Sequence, residues 1–286
     1  MKFKKEGLRM QPKKNYKIIW GLLVISLLFV TAGCAQKNSQ ANAVKKIQAK
    51  GTLVIGTSAD FAPFEFPIVK DGKKQIVGYD IMLAQKIADD LDVKLKVENV
   101  EFSSLISEVK NKKVDLVLAG LSATKQRKQS ISFSIPYYTS HNVLLIRKGD
   151  QSKYQSLQEL KQKNIGVQQG STQETYAQKQ LKGSQLVVES LVTSLATELK
   201  EGKIDGIVVG DKVAANYVAK FPEQYAVASI KLPTAASKQT YSVGIAKGNH
   251  ALVKRVNRVI KKLQKNGTDE KLFNRAKQLQ EKYGSN

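Results

Sequence analysis

Two stretches of the chain, ninety positions apart, are built on one plan, and no other feature of the sequence constrains the fold as much. Ser104-Leu105-Ile106-Ser107-Glu108-Val109-Lys110 matches Ser194-Leu195-Ala196-Thr197-Glu198-Leu199-Lys200 at Ser, Leu, Glu and Lys. The match carries on, since Lys113-Val114-Asp115-Leu116-Val117-Leu118-Ala119-Gly120 parallels Lys203-Ile204-Asp205-Gly206-Ile207-Val208-Val209-Gly210. In each copy a helical period is followed by a short apolar run that reads as a buried strand. A shared offset across both elements predicts two lobes of like construction. Strands alternating with helices predict parallel sheets, whose ligands sit outside the carboxyl ends of the strands.

The strand ends carry polar groups. In the first copy Gly120 breaks the apolar run before a Ser/Thr-led segment suited to opening a helical turn. Backbone N–H groups near Ser122 and Thr124, with the planar fork of Arg127, make an anion clamp there. In the second lobe the strand Asn164 to Val167 precedes Ser171-Thr172-Gln173-Glu174, the pattern of a helix capping box. Asp211 reads as a helix cap after Gly210; in the register of the repeat it also falls just past a strand end, as Leu121 and Ser122 do. A carboxylate facing an arginine across a cleft, with Thr172 and Gln173 beside it, suits a zwitterion.

The remaining elements fit around this pair. Folded structure is predicted from near Val44, with a short helix through Ile47 and a strand from Thr52 to Gly56. The loop that follows is dense in aromatics; Phe64 and Phe66 are predicted in the core and Phe61 over a ligand. Asp71-Gly72 marks a hairpin turn, and Asp80 is a candidate N-cap for a helix with an apolar face of Leu83, Ala84, Ile87, Ala88 and Leu91. Phe102, before the Ser104 helix, is a second candidate ligand-facing ring. Two apolar extended runs, His141 to Ile146 and Tyr241 to Ala246, flank the second lobe and read as the crossings between lobes. Helices from Ala251 to Leu263 and Thr268 to Tyr283 would return to the first. The expected division is 44–141 with 242–286 as lobe 1, and 142–241 as lobe 2 with hinge segments at its ends.

The amino terminus is not part of that fold. Seven basic residues against one Glu precede an apolar run from Ile18 to Val30 and the small residues Thr31-Ala32-Gly33, the layout of an export signal. Cys34, the only cysteine, follows directly, and Gly33-Cys34 resembles the end of a bacterial lipobox, although Thr31 departs from the usual Leu. Residues 1–33 are therefore expected to be a lipoprotein signal, Cys34 a lipidation site, and 34–43 a flexible tether. The formal net charge of +23 leaves +17 after the +6 of the signal. Lysines spread along the chain, with no interleaved aromatic and basic motif, predict a basic surface facing an anionic cell envelope and no nucleic-acid partner. The two histidines, His141 and His250, fall in a crossing and an exposed turn, and no metal-ligand spacing occurs. No catalytic residue, metal or cofactor is expected.

The ordered motifs Gly56-Thr57-Ser58-Ala59-Asp60-Phe61-Ala62-Pro63-Phe64-Glu65-Phe66, Val77-Gly78-Tyr79-Asp80, Asp115 to Arg127, Pro136-Tyr137-Tyr138, Gly166 to Thr172 and Asn266-Gly267-Thr268 resemble the polar amino-acid substrate-binding proteins of bacterial ABC importers. The resemblance runs from about Gly51 to the end. It implies an α/β fold of the type II periplasmic-binding kind, two lobes closing on one free amino acid. The protein would be a monomer on the outer face of the cell membrane, lipid-tethered in a Gram-positive cell and partnered by an ABC permease. It further implies Arg127 on the ligand carboxylate, helped by Ser122 and Thr172, and Asp211 on the ammonium, with Gly120 and Ser122 as further acceptors. Phe61 and Phe102 would sandwich the side chain, and Ala119, Gln168 and Gln173 complete the set. Many members have Asp where this chain has Ser58; Asp60 is a candidate substitute, and glutamine, arginine and histidine all stay open as ligands. The fold also hosts enzymes of the cyclohexadienyl dehydratase type, sensors and adhesins, so those readings stand as alternatives.

Overall fold

The structure, a computed structural model, describes residues 42–233 and 238–283. The expected signal, Cys34 and most of the tether lie outside the described residues. The first helix, α1, spans Asn42–Lys50, beginning two residues before the expected start. Strand β1 (Thr52–Thr57) follows, buried over most of its length because its Leu53, Ile55 and Gly56 face packed elements on both sides.

Lobe 1 is a sheet with β1 flanked in parallel by β4 (Lys94–Asn99) and β5 (Leu116–Val117). The hairpin of β2 (Phe66–Lys70) and β3 (Lys73–Val77) turns at Asp71-Gly72, both at positive φ, as the sequence predicts. Helix α2 (Tyr79–Leu91) buries the predicted Leu83, Ala84, Ile87, Ala88 and Leu91. Its N-cap is Gly78, not Asp80. Asp80 lies inside the first turn with its side chain in the core, where it accepts from the Gly120 N–H (2.9 Å) and the Tyr137 hydroxyl (2.6 Å). A cap is exposed to the helix's own free N–H groups; here the stronger competitor is a pair of buried donors from other elements.

The repeat is visible in the bonding of the two lobes. Asp115, just ahead of β5, accepts from the Val54 N–H at 2.9 Å, and Asp205, just ahead of β9 (Gly206–Gly210), accepts from the Asn164 N–H at 2.9 Å. Each carboxylate thereby ties its strand to the neighbouring parallel strand. The helices before them, α3 (Leu105–Lys110) and, in lobe 2, Val192–Lys200, end in equivalent turns, with Lys113 N–H bonding Glu108 and Lys203 N–H bonding Glu198. Between the two copies come α4 (Lys125–Ser130), β6 (Ile131–Arg147), β7 (Asn164–Gln168), α5 (Thr172–Gln180) and β8 (Gln185–Glu189), so the Val192–Lys200 helix is α6. In lobe 2, β7 is flanked in parallel by β8 and β9.

One strand joins the lobes. β6 runs unbroken for 17 residues; its first part pairs with β11 (Lys238–Ala246) and its second with β9 and β10 (Tyr225–Val227). The strand order β4-β1-β5-β11-β6-β9-β7-β8 is thus continuous through both lobes. The apolar runs His141 to Ile146 and Tyr241 to Ala246 lie within β6 and β11; β6 starts ten residues earlier, and β11 starts three residues earlier, pairing there with Thr139–His141 of β6. Helix α7 (Asp211–Lys220) covers lobe 2, and the terminal helices α8 (His250–Lys265) and α9 (Thr268–Tyr283) return to pack on α2. α8 lays Leu252, Val256, Val259, Ile260 and Leu263 on the core, and its Arg255 and Arg258 both bond Asp90 of α2. Among the described residues no helix is long and apolar enough to cross a membrane.

Candidate functional site

The cleft is formed where the strand ends of the two lobes meet. Gly120 closes β5 with φ 54°, a left-handed backbone that suits glycine, and a Cβ there would stand 2.9 Å from the Phe61 ring. Thr124 then caps α4, accepting from the Arg127 N–H at 3.2 Å, which starts the predicted helical turn and sets the direction of the arginine. The Arg127 guanidinium donates to the Ser122 carbonyl in its own lobe and to the Gly170 carbonyl of lobe 2, both at 2.9 Å. It lies 5.4 Å from the centre of the Phe102 ring. Burial pulls its pKa down to about 10, and among the described residues it has no carboxylate partner within ion-pair distance. A half-buried guanidinium with donors in hand and no counter-charge is a place for an anion.

Lobe 2 answers with the start of α5. Ser171 accepts from the Glu174 N–H at 3.0 Å, the predicted cap, while the Glu174 carboxylate reaches back one residue further than expected, to the Gly170 N–H at 2.7 Å. The first N–H groups of a helix have no partner within it, so those of Thr172 and Gln173 are presented toward the cleft. Gln173 is held by the Asn142 side chain at 3.0 Å.

Asp60 ties the lobes together. Its carboxylate accepts from Ser58 (3.0 Å) in its own lobe and from Gln168 (3.0 Å) and the Val192 N–H (2.6 Å) across the cleft. Burial raises its pKa, partly offset by the Val192 bond and then the Ser58 bond. The groups expected to read the ligand's far end, Ser58 and Asp60, are bonded to each other and to lobe 2.

A closed remnant of about 10 Å3, room for about one water, remains between the jaws. Of the predicted residues it is lined by Asp60, Phe61, Phe102, Ala119, Gly120, Gln168, Thr172 and Gln173. Ser122 and Arg127 do not line it: the Ser122 hydroxyl donates to Gln239 at 3.2 Å, and Arg127 lines, with Gly170, Ser171 and Thr172, a separate cavity beside the start of α5. Asp211 is the first residue of α7, and its side chain makes no capping bond. It accepts from the Ser140 hydroxyl (2.7 Å) and the His141 N–H (3.3 Å) and pairs with Lys212 at 3.3 Å, so the structure does not place it on the cavity wall.

The sequence reading missed Glu65, which also lines this cavity. It is 0 % exposed, and among the described residues its carboxyl has no N–H donor; its one polar neighbour is the Asp80 carboxyl, to which a protonated Glu65 can donate. Burial, then the like charge of Asp80, pushes its pKa well above the ordinary carboxylate range. Burial also pushes Asp80 up to about 6, against the lowering effect of the Tyr137 and Gly120 bonds. No local signal marks it: between Phe64 and Phe66, both in the core as predicted, alternation in extended chain points Glu65 to the opposite face, and only the fold buries it. Phe61, by contrast, stacks on Phe64 at 5.7 Å and edges on Tyr241 at 6.3 Å while still lining the cavity.

Comparison with known proteins identifies this arrangement. The sequence profile of the bacterial extracellular solute-binding proteins, family 3, matches residues 53–278. The chain belongs to that family. Among solute-binding relatives, the arginine-binding extracellular protein ArtP of Bacillus subtilis (strain 168) is 33 % identical over 263 residues, covering 88 % of this chain and 95 % of ArtP. The L-cystine-binding protein TcyJ of Escherichia coli (strain K12) is 28 % identical over 251 residues, covering 87 % and 91 %. Among solved structures, the amino acid ABC transporter substrate-binding protein AbpA of Streptococcus pneumoniae, bound to L-arginine, superposes with a TM-score of 0.79 at 38 % identity, covering 82 % of this chain and 98 % of that one. The two-lobed type II periplasmic-binding fold expected from the sequence is the fold of this solute-binding protein.

Proposed function

We propose that the protein captures a free basic L-amino acid, with arginine first, for an ABC importer. The observation that carries the choice of ligand is Glu65, a buried carboxyl on the wall of the interlobe cavity that has no cationic partner among the described residues and only the Asp80 carboxyl beside it. Ionising a buried carboxyl whose only neighbour is another acid is costly, and a ligand guanidinium supplies the counter-charge and two parallel N–H donors that match it. Arg127 and the start of α5 receive the ligand carboxylate, Phe61 and Phe102 flank the aliphatic stem, and the Gly120 carbonyl accepts from the ammonium; Asp211, held off the cavity wall by Ser140 and His141, joins them only if it turns from those donors. The arginine names of ArtP and AbpA support the same choice. Closure is favoured because each lobe alone offers half the charges, so ligand binds the closed form best and shifts the equilibrium toward it.

The lobes are assigned as 44–141 with 242–286, and 142–241, hinged within β6 and β11. Cys34 is assigned as the lipid anchor of an extracellular monomer, delivering to a membrane permease and carrying out no catalysis itself. A thermal-shift panel of the twenty amino acids tests the ligand assignment. The expected result is the largest shift with arginine; a shift with sugars or prephenate and none with amino acids would overturn it.

A further inference from the structure

A second cavity, of about 430 Å3, lies against the β6–β11 pair. Along β11, Tyr241 turns into the aromatic cluster beside Phe61, and Ser242, next in the strand, turns the opposite way into this second cavity. The β6–β11 register shifts on both sides of Ser242, a bulge of the kind that re-aims a side chain. Ser242 is 1 % exposed, and its hydroxyl has no hydrogen-bond partner. The neighbouring Ser134 hydroxyl, in the same wall, is satisfied by the Ile135 carbonyl (2.7 Å) and the Val243 N–H (2.9 Å), so the orphan state belongs to Ser242 alone of the two.

The surroundings of that hydroxyl are of one sign. Lys128 of α4, Lys247 after β11 and His250 at the start of α8 line the cavity, and none of its described lining residues is acidic. Lys128 and Lys247 make no ion pair among the described residues. α8 is 16 residues long, has no acidic residue in its first turn, and its N-cap Asn249 makes no side-chain bond, so its positive end is uncompensated where it meets the cavity. Two lysines, an orphan buried hydroxyl and a free helix start are the donor set of an oxyanion site.

We propose that this cavity binds a phosphate group, with Ser242, Lys128, Lys247 and the first turn of α8 as its donors. The cavity exceeds the volume of a bare oxyanion, so a phosphate ester fits it better than orthophosphate. The ester is either a free small molecule or the headgroup of an envelope lipid, and both present the same group to the same donors.

The two histidines make the test direct, because His250 borders the cavity and His141 does not. Inorganic phosphate and then glycerol phosphate are titrated into the purified protein while the two histidine ring resonances are followed by NMR. Saturable movement of the His250 signal with His141 unmoved is expected, and the K128Q/K247Q double variant should weaken it by about tenfold or more. Lys247→Gln alone, at an exposed position after β11, serves if the double variant does not fold. Vesicles of phosphatidylglycerol that bind in a lysine-dependent, glycerol-phosphate-competed way would assign the headgroup; glycerol phosphate binding without vesicle binding would assign the free ester. No saturable movement of His250 with either phosphate, or equal movement in the lysine variant, would overturn the proposal.

Discussion

Replacing Asp80 with asparagine should stabilise the ligand-free protein at neutral pH, and the size of the effect follows from where the carboxylate sits. Asp80 is 0 % exposed, and burial moves its pKa from 3.8 up to about 6. Between those values the folded state holds a proton that the unfolded state has released. Stability therefore falls as pH rises through this window, and the full penalty is in place above pH about 6. Roughly two pH units at about 1.36 kcal/mol each give about 3 kcal/mol. The Gly120 and Tyr137 donors reach the same oxygen, Oδ2, and the other partner of the carboxyl is the Glu65 carboxyl. In Asp80→Asn the amide oxygen would take over as the acceptor for Gly120 and Tyr137, and the amide nitrogen would donate to Glu65. Urea unfolding of both proteins at pH 4 and pH 8, without ligand, measures the difference. The variant should gain about 3 kcal/mol at pH 8 and close to nothing at pH 4. An equal pH dependence in the two proteins, or a loss of stability at pH 8 in the variant, would refute the reasoning.

Other expectations share this geometry. Arg127→Ala should weaken ligand binding by about 3 kcal/mol or more, over a hundredfold by titration calorimetry, with an unchanged circular dichroism spectrum. Affinity for arginine should fall as pH drops from 8 to 5, because a cationic ligand needs Glu65 ionised while the free protein holds its proton; calorimetry in buffers of different ionisation enthalpy should register proton release on binding. Gly120→Ala should cost about 1–2 kcal/mol from its left-handed backbone, seen as a lower Tm, and weaken binding further by displacing the Phe61 ring. Asp60→Ala removes the bonds to Gln168 and Val192 and should enlarge the ligand-free protein in small-angle scattering.

Much of this architecture could be read from residue order alone, for identifiable reasons. The repeat around Asp115 and Asp205 was legible because the same carboxylate does the same local task in each lobe, bonding the N–H of the adjacent strand. Arg127 and the Ser171 cap were legible because turn and cap chemistry depends on residues three or four positions apart. Asp80 and Glu65 were misread or missed for the opposite reason. Their partners, Gly120, Tyr137 and each other, come from distant parts of the chain, and only the folded core turns a plausible helix cap into a buried acceptor. Asp60 follows the same logic: its bond to Val192 spans both lobes, and no local pattern announces it.

The central claim is that a buried carboxylate, Glu65, selects a cationic side chain between two closing lobes. Calorimetric titration of L-arginine against L-citrulline, which has nearly the same shape but no charge, tests it most directly. Arginine should bind one to one and citrulline at least about a hundredfold more weakly, since a buried carboxylate loses its charged partner. Equal affinity for the two, or binding of neither, would contradict it.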